Sequence, residues 1–232
     1  MKPIIVAIDG PAASGKSTSA RAVAERLGYC HLNSGLLYRA ITWAALRGGW
    51  IDDEARFAAE LERLDLSVEI GSPEMRVTVG GEEPGAELAS PEVTERVSEV
   101  AARPEVRRRA GGILRSAGSG GGVVCDGRDI GTVVFPSAEL KVYLTAQAGE
   151  RGRRRLLQRG QTATRDAVAA EAARLRARDD ADSSRAHSPL RQAEDAVLID
   201  TTASTPEEVV VRIVELARER ARSTVDDPDP SP

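Results

Sequence analysis

The sequence predicts an α/β fold in which a central parallel sheet is covered by helices on both faces. Short, mainly apolar runs typical of strands recur at residues 4–8, 123–125, 140–144 and 197–199, and the first of them is rich in β-branched residues, as buried parallel strands are. Segments with apolar residues at helical spacing separate these runs, and strands that alternate with helices form parallel sheets. The first run leads into a glycine-rich loop and then a helix, which is the expected start of such a fold.

Three helices are predicted in the first third of the chain, because apolar residues recur there every three or four positions. They cover residues 19–27, the segment from the Ser34-Gly35 break to Gly48, and residues 55–66. A small antiparallel ribbon is then predicted, because apolar and polar residues alternate on both sides of Gly71-Ser72-Pro73. This ribbon belongs to an insertion of about residues 64–90, whose polar composition and few apolar anchors predict low local stability.

The chain returns to helical spacing at residues 91–115, with a break or kink at Pro104, which cannot donate the helical hydrogen bond. The last helix is predicted to begin with a capping box, in which Thr205 and Glu208 satisfy each other's free backbone N–H groups. Pro206 occupies its first position, where no intrahelical donor is needed.

Composition excludes several classes of protein. A chain of 232 residues can hold one α/β core with an inserted subdomain or two small domains, and its net charge of −4 gives no basic surface for nucleic acid. Two cysteines suit reduced thiols in the cytosol, and no apolar stretch approaches the ~20 residues of a membrane span. The first strand begins too early for a targeting segment. We therefore expect a cytoplasmic protein without membrane or nucleic-acid partners.

The strongest functional signal is a match to the pattern Gly, four residues, Gly-Lys-Ser/Thr, placed between a strand and a helix. Backbone N–H groups of such a loop surround a polyphosphate, and the helix N-terminus adds a favourable dipole. Lys16 would contact the β- and γ-phosphates, and the Ser17 hydroxyl would bind Mg²⁺. The alternative is an ordinary glycine turn. The predicted nucleoside triphosphate site consists of Gly10, Pro11, Ala12, Ala13, Ser14, Gly15, Lys16, Ser17 and Thr18.

Two clusters extend this site. Arg39 follows the Ser34-Gly35 break, where its planar guanidinium could bind a second phosphorylated substrate, although an ordinary surface turn explains the spacing equally well. Residues 126–132 directly follow a predicted strand, and ligands of such sheets bind beyond the carboxyl ends of the strands. The alternative there is a helix N-cap at Asp126 beside a solvated charge cluster.

A third cluster joins the charged residues 178–185 to Glu150 and the arginines of 151–155. Such runs are usually solvated helix faces. In a phosphoryl-transfer enzyme they would instead form a lid, whose closure neutralises the transferring group and expels water.

Together these residues closely resemble bacterial cytidylate kinases, of the nucleoside monophosphate (NMP) kinase group. The matching positions are residues 8–11, Ser34-Gly35 with Tyr38-Arg39, residues 97–101 with Pro104 and Val106-Arg107, residues 127–136, and Arg178-Asp179 with Asp182 and Arg185. The resemblance covers residues 4–221 and implies a three-layer P-loop NTPase fold. It implies one domain over residues 1–222, with its core in about 1–48 and 118–222, an NMP-binding insertion at about 64–90, a lid at about 150–190, and a disordered tail at 223–232.

The resemblance also implies roles for individual side chains. Contacts to cytosine are implied for Ser34, Arg107 and Asp129, and contacts to ribose for Ser98, Arg178 and Asp182. Contacts to the acceptor phosphate are implied for Arg39, Arg128 and Arg185, and Arg154 resembles a lid arginine near the triphosphate. The expected catalytic set is Lys16, Arg128, Arg154, Arg178 and Arg185.

Asn33 and Leu36 depart from the family, which usually has Asp and Ala at these positions. Asn keeps the shape but loses the charge, which would weaken turnover if the Asp acts through the outer shell of the metal.

The expected function is phosphoryl transfer from ATP to CMP, and also to dCMP, by a monomer. A kinase for another small acceptor and a nucleotide-dependent switch are the alternatives. A GTPase switch would need an Asn-Lys-x-Asp motif, and the only lysines, Lys2, Lys16 and Lys141, lie outside any such sequence.

Overall fold

The computed structural model describes residues 2–71 and 73–226. The strands in this part are β1 (Ile5–Asp9), β2 (Cys30–Asn33), β3 (Leu66–Glu69), β4 (Arg76–Val79), β5 (Val123–Gly127), β6 (Leu140–Thr145) and β7 (Val197–Asp200). The α-helices are α1 (Lys16–Leu27), α2 (Ser34–Arg47), α3 (Glu54–Arg63), α4 (Pro91–Val100), α5 (Pro104–Gly118), α6 (Ala148–Gln158), α7 (Arg165–Ser183) and α8 (Pro206–Asp226). A 3₁₀ turn covers Gly85–Ala89 and a π-helical turn covers Ile130–Val134.

Five strands form a parallel sheet in the order β2-β5-β1-β6-β7, with β1 at the centre. Strand periodicity directs alternate side chains of β1 to opposite faces. Ile4, Val6 and Ile8 pack in the cluster that contains α1 and α8, while Ala7 packs in the cluster that contains α2 and α5. The predicted α/β fold, with a parallel sheet covered on both faces, is confirmed.

Strand β2 is absent from the sequence-based prediction, because its short apolar run is interrupted by His31 and Asn33. It pairs with β5 through four residues and places the start of α2 beside the glycine-rich loop. The edge of β2 is partly covered, since His31 N–H donates to Pro73 O (2.7 Å) and Met75 N–H donates to His31 O (3.1 Å).

The predicted ribbon is present as the antiparallel pair β3–β4, with Leu66 opposite Val79. The expectation that this insertion has few apolar anchors is wrong. Leu66, Met75, Val77 and Val79 are buried in the same cluster as α2, because one face of the alternating pattern packs inward. Ser72, in the predicted turn, lies outside the described residues.

Several helix ends lie where short sequence motifs predicted them. Helix α4 ends before Pro104, and Pro104 starts α5. Thr205 and Glu208 form the capping box, with Glu208 N–H donating to Thr205 Oγ1 (3.3 Å). Helix α8 continues to Asp226, into the predicted tail, and residues 227–232 lie outside the described part. Within the described part, the helices are too short or too polar to cross a membrane.

Candidate active site

A cavity of about 760 Å³ lies at the carboxyl ends of β1, β2 and β5. It brings together residues that are far apart in sequence, as expected for an α/β sheet. The predicted residues that line it are Ala12, Ala13, Ser14, Gly15, Lys16, Ser17, Thr18, Ser34, Arg39, Ser98, Arg107, Arg128, Asp129, Arg154, Arg178, Asp182 and Arg185. Gly10 and Pro11 are not among the residues that line it.

The glycine-rich loop has the backbone shape that its glycines permit. Gly10 has a φ of 147° and packs against β6, where an added Cβ would lie 2.0 Å from Leu144 O. Gly15 precedes α1 with a φ of 94°. Gly10 therefore serves close packing of the loop onto the sheet, whereas Gly15 serves the turn into the helix.

Lys16 is buried at the N-terminus of α1, where Nζ donates to Pro11 O (2.6 Å) and Ser14 Oγ (3.4 Å). Burial, followed by the charge of Arg128, lowers the pKa of Lys16 well below its usual value of 10.5. An anionic phosphate beside Nζ would favour the charged ammonium again. The side chain is thus held at a place where it could bind an anion.

A network of polar contacts connects α1 to the end of β5. Ser17 Oγ donates to Asp126 Oδ2 (2.7 Å), and His31 Nε2 lies 2.7 Å from Asp126 Oδ1. Burial alone would raise the pKa of Asp126, but its contacts with His31, Ser17 and Lys16 lower it below 3.8. Asp126 is therefore an anion within the sheet and does not cap a helix.

A second carboxylate lies at the end of β1. Asp9 accepts hydrogen bonds from the N–H groups of Ile130 (2.8 Å) and Gly131 (2.7 Å). Burial raises the pKa of Asp9 to about 6, against the opposing effect of these hydrogen bonds. Asp9 thereby fixes the π-helical turn that follows Asp129.

A buried ion pair forms one wall of the cavity. Arg107 Nη2 lies 2.6 Å from Asp129 Oδ1, and both side chains are almost fully buried. The Arg107 guanidinium also lies over the ring of Tyr38, at 5.1 Å from its centroid. Ser34 lines the same cavity and donates from Oγ to Asp126 O (2.7 Å). These groups offer a donor and an acceptor side by side to a planar ligand.

Several arginines converge between this wall and the loop. Asp182 accepts from Arg128 Nε (3.0 Å) and from Arg185 Nη2. Arg178 Nε is buried without a hydrogen-bond partner in the described residues, and burial, with the nearby charge of Arg128, lowers the pKa of Arg178 to about 10. Cations therefore outnumber the single carboxylate, Asp182, that pairs with them here. Such a cluster is suited to a phosphate.

Arg39 and Arg154 make structural contacts as well. Arg39 Nη1 donates to Leu88 O (2.8 Å) and to Thr94 Oγ1 (2.9 Å), which ties α2 to the insertion. Arg154 donates to Thr201 O (2.5 Å) at the end of the cavity lined by the start of α8.

Arg155, Thr201, Asp126 and His31 belong to the site or support it, but none of them was assigned a role of its own from the sequence. Asp126 and Arg155 appeared there only as members of charged clusters. Arg155 lines the cavity. Burial is the main cause that lowers the pKa of Arg39 and of Arg178, and the charge of Arg155 lowers both values further. Because almost all basic residues of this chain are arginine, the run at 151–155 gave no reason to single out Arg155.

The family model described as cytidylate kinase matches residues 6–219. The chain belongs to the cytidylate kinase family. It is 43% identical over 223 residues to a cytidylate kinase of Syntrophotalea carbinolica, covering 94% of each chain. It is similarly related to the cytidylate kinases of a Geobacter species (43%, covering 94% of each) and of Lactiplantibacillus plantarum (41%, covering 95% of this chain and 97% of that one).

Asn33, where the family resemblance led us to expect Asp, lies at the junction of β2 and α2 and lines the cavity. Its side chain does not cap α2 through a hydrogen bond. An added Cβ at Gly35 would lie 3.1 Å from Asn33 Oδ1, so the amide folds back over the first turn of the helix. The position keeps its polar shape without a negative charge.

Proposed function

We propose that this protein transfers the γ-phosphoryl group of ATP to CMP, and to dCMP, giving ADP and CDP or dCDP. The observation that carries the proposal is one cavity with a phosphate-binding loop, a cluster of arginines and the Arg107–Asp129 pair. The relatives named cytidylate kinase, aligned along nearly their whole length, support the same reaction.

The triphosphate half consists of the loop, Lys16 and Ser17. Hard oxygen donors suit Mg²⁺, and the contact between Ser17 Oγ and Asp126 Oδ2 provides a hydroxyl and a carboxylate at one point. The described residues contain no cluster of three or more His, Cys, Asp or Glu that could hold a metal, which fits an ion held mainly by substrate phosphates. When bound, Mg²⁺ neutralises charge on the β- and γ-phosphates.

In the part of the cavity that binds the acceptor nucleotide, the Arg107–Asp129 pair recognises cytosine by hydrogen bonding. The Asp129 carboxylate accepts from the exocyclic amino group of cytosine, and the Arg107 guanidinium donates to the ring acceptors. Uracil would instead place a carbonyl oxygen against the Asp129 carboxylate. Both groups are acceptors, so no hydrogen bond could form between them. The buried position of both charges makes such a mismatch costly.

Transfer requires positioning and charge neutralisation, without a covalent intermediate. Arg39, Arg128 and Arg185 hold the acceptor phosphate, and Lys16 holds the donor. Ser98, Arg178 and Asp182 hold the ribose. Residues 150–190 act as a lid and the insertion at 64–90 as the NMP-binding part of a single-chain site, which supports action as a monomer. Closure excludes the water that would otherwise hydrolyse ATP.

The test is release of ADP from ATP as a function of added nucleoside monophosphate. We expect ADP release to require CMP or dCMP, with UMP, AMP and GMP much weaker. Turnover with a different acceptor would support another small-molecule kinase. Turnover that is independent of acceptor, or nucleotide binding without turnover, would support a switch or binding module and would refute the proposal.

A further inference from the structure

The peptide groups of Ala12 in the phosphate-binding loop are held on both sides by charged side chains. Ala12 N–H donates to Asp179 Oδ1 (2.8 Å), and Arg151 Nη1 donates to Ala12 O (3.0 Å). Arg151 and Asp179 also form an ion pair with each other. Their relative exposures are only 7% and 9%, so solvent competes little for these bonds. We call this arrangement the Ala12 clamp.

The two clamp residues lie on two helices that pack closely against each other. Arg151 belongs to α6 and Asp179 to α7. The two helices pack backbone to backbone at Gly152, where an added Cβ would lie 2.8 Å from Val168 O. Arg151 Nε donates to Ala146 O (3.1 Å), which fixes its side chain at the base of α6. Both clamp residues are therefore held in place independently of the loop.

The loop needs such support because its backbone is strained next to the clamp. Ala13 has a φ of 58°, in the left-handed region that disfavours residues with a Cβ. A strained residue keeps its conformation only where its surroundings determine it. The clamp fixes the residue that directly precedes Ala13 and so stabilises this conformation.

Neither Arg151 nor Asp179 is among the residues that line the cavity. Asp179 lies between Arg178 and Asp182, which face the acceptor half, yet its carboxylate contacts the loop. We infer that Arg151 and Asp179 are positioning residues that hold the loop in its triphosphate-binding shape. This inference rests on the proposed function and assigns both residues to the ATP side of the reaction.

The test compares nucleotide binding and steady-state kinetics in purified, folded variants. Asp179→Ala and Arg151→Gln are expected to raise the Kd of ADP and the KM of ATP by about tenfold, while the KM of CMP changes by less than about twofold. Asp179→Asn, which keeps an acceptor for Ala12 N–H but loses the ion pair, is expected to have an intermediate effect. Thermal denaturation establishes that each variant is folded.

Two further substitutions serve as references. Asp180→Asn changes the adjacent exposed carboxylate and is expected to leave both nucleotides unaffected. Asp182→Asn, whose carboxylate pairs with Arg128 and Arg185, is expected to raise the KM of CMP instead. If the Asp179 variants behave like Asp182→Asn, or like Asp180→Asn, the inference is wrong. If wild-type protein neither binds ADP nor transfers phosphate, it is the proposed function that fails.

A measurement on the unmodified protein covers the case in which the clamp variants do not fold. The Ala12 amide proton is hydrogen-bonded to Asp179, so it is expected to exchange slowly with solvent before any nucleotide is added. Addition of CMP alone is expected to leave this exchange rate unchanged. Rapid exchange of the Ala12 amide in the nucleotide-free protein would show that the clamp is not formed in solution and would overturn the inference.

Discussion

At the scale of single residues, the site depends on basic side chains that are buried before any substrate arrives. Lys16 and Arg178 both have a lowered pKa, chiefly because they are buried, and a phosphate anion would stabilise each of them. Basic side chains that are already in place inside a cavity can bind anions there with little reorganisation.

Lys16→Ala is expected to abolish phosphoryl transfer while leaving the protein folded, because the lost ammonium acts on the β- and γ-phosphates and makes only local contacts in the loop. Steady-state rates and a thermal melt measure the two effects. Lys2→Ala, at an exposed lysine, is the matched control and should behave like wild type. A folded Lys16→Ala protein with the wild-type kcat would contradict this role.

Arg185→Lys is expected to lower kcat/KM for CMP by about tenfold or more, which corresponds to the loss of one charge-assisted bond of ~1–2 kcal/mol. A lysine cannot reproduce the planar group that contacts both Asp182 and Ser98 O. Kinetics with CMP as the varied substrate measure the effect. An unchanged kcat/KM would remove Arg185 from the acceptor site.

His31 is expected to make stability depend on pH. Burial opposes its charging, but Asp126 and Glu74 raise its pKa above the usual 6.5. A histidine with a raised folded pKa contributes stability that is fully present below pH 6.5 and is lost as pH rises through the folded pKa. The free energy of unfolding, measured by urea denaturation from about pH 5.5 to 9, should show this loss.

The chain contains only one other histidine, His187, which is exposed and provides the control. His31→Gln should remove the pH-dependent loss above pH 6.5, and His187→Gln should retain it. If His31→Gln and wild-type protein lose stability in parallel above that pH, His31 is not the group responsible.

At the scale of elements, the clamp divides the proposed lid into fixed and movable parts. Within residues 150–190, Arg151 and Asp179 are fixed by their bonds to the glycine-rich loop, whereas residues 159–164 between α6 and α7 are almost all exposed. The ribbon is anchored by buried apolar residues and has less freedom than its composition suggested. Movement on closure is therefore expected chiefly at the junction of α6 and α7.

Hydrogen exchange with and without CMP plus a non-hydrolysable ATP analogue tests this division. Peptides that cover residues 159–170 should gain protection when both ligands are present, while those around Arg151 and Asp179 should be protected from the start. Protection restricted to residues 10–18 would mean that the protein binds a triphosphate without enclosing a second substrate.

At the scale of the whole molecule, the features predictable from sequence are those encoded by neighbouring residues. The glycine-rich loop, the break at Pro104 and the capping box of Thr205 and Glu208 each depend on a few consecutive positions. Strand β2 was missed because His31 finds its polar partner in Asp126, which is 95 residues away. Contacts between residues so far apart in sequence leave no periodic pattern of apolar and polar residues from which a strand could be predicted.

The Ala12 clamp was hidden for the same reason, since Ala12 is separated by 139 residues from Arg151 and by 167 from Asp179. The cytosine-reading role proposed for Arg107 could be inferred only through the family resemblance, because α5 has the pattern of an ordinary amphipathic helix. Sequence therefore indicates which chemistry the chain performs, and the fold shows which distant side chains support it.

We propose above that the γ-phosphoryl group passes directly from ATP to CMP, both bound in one cavity. The most direct test follows the label of γ-labelled ATP in a single turnover with wild-type protein and CMP. We expect the label to appear in CDP, and almost no label to be released from ATP without CMP. Label released as inorganic phosphate at the same rate with and without CMP would contradict it.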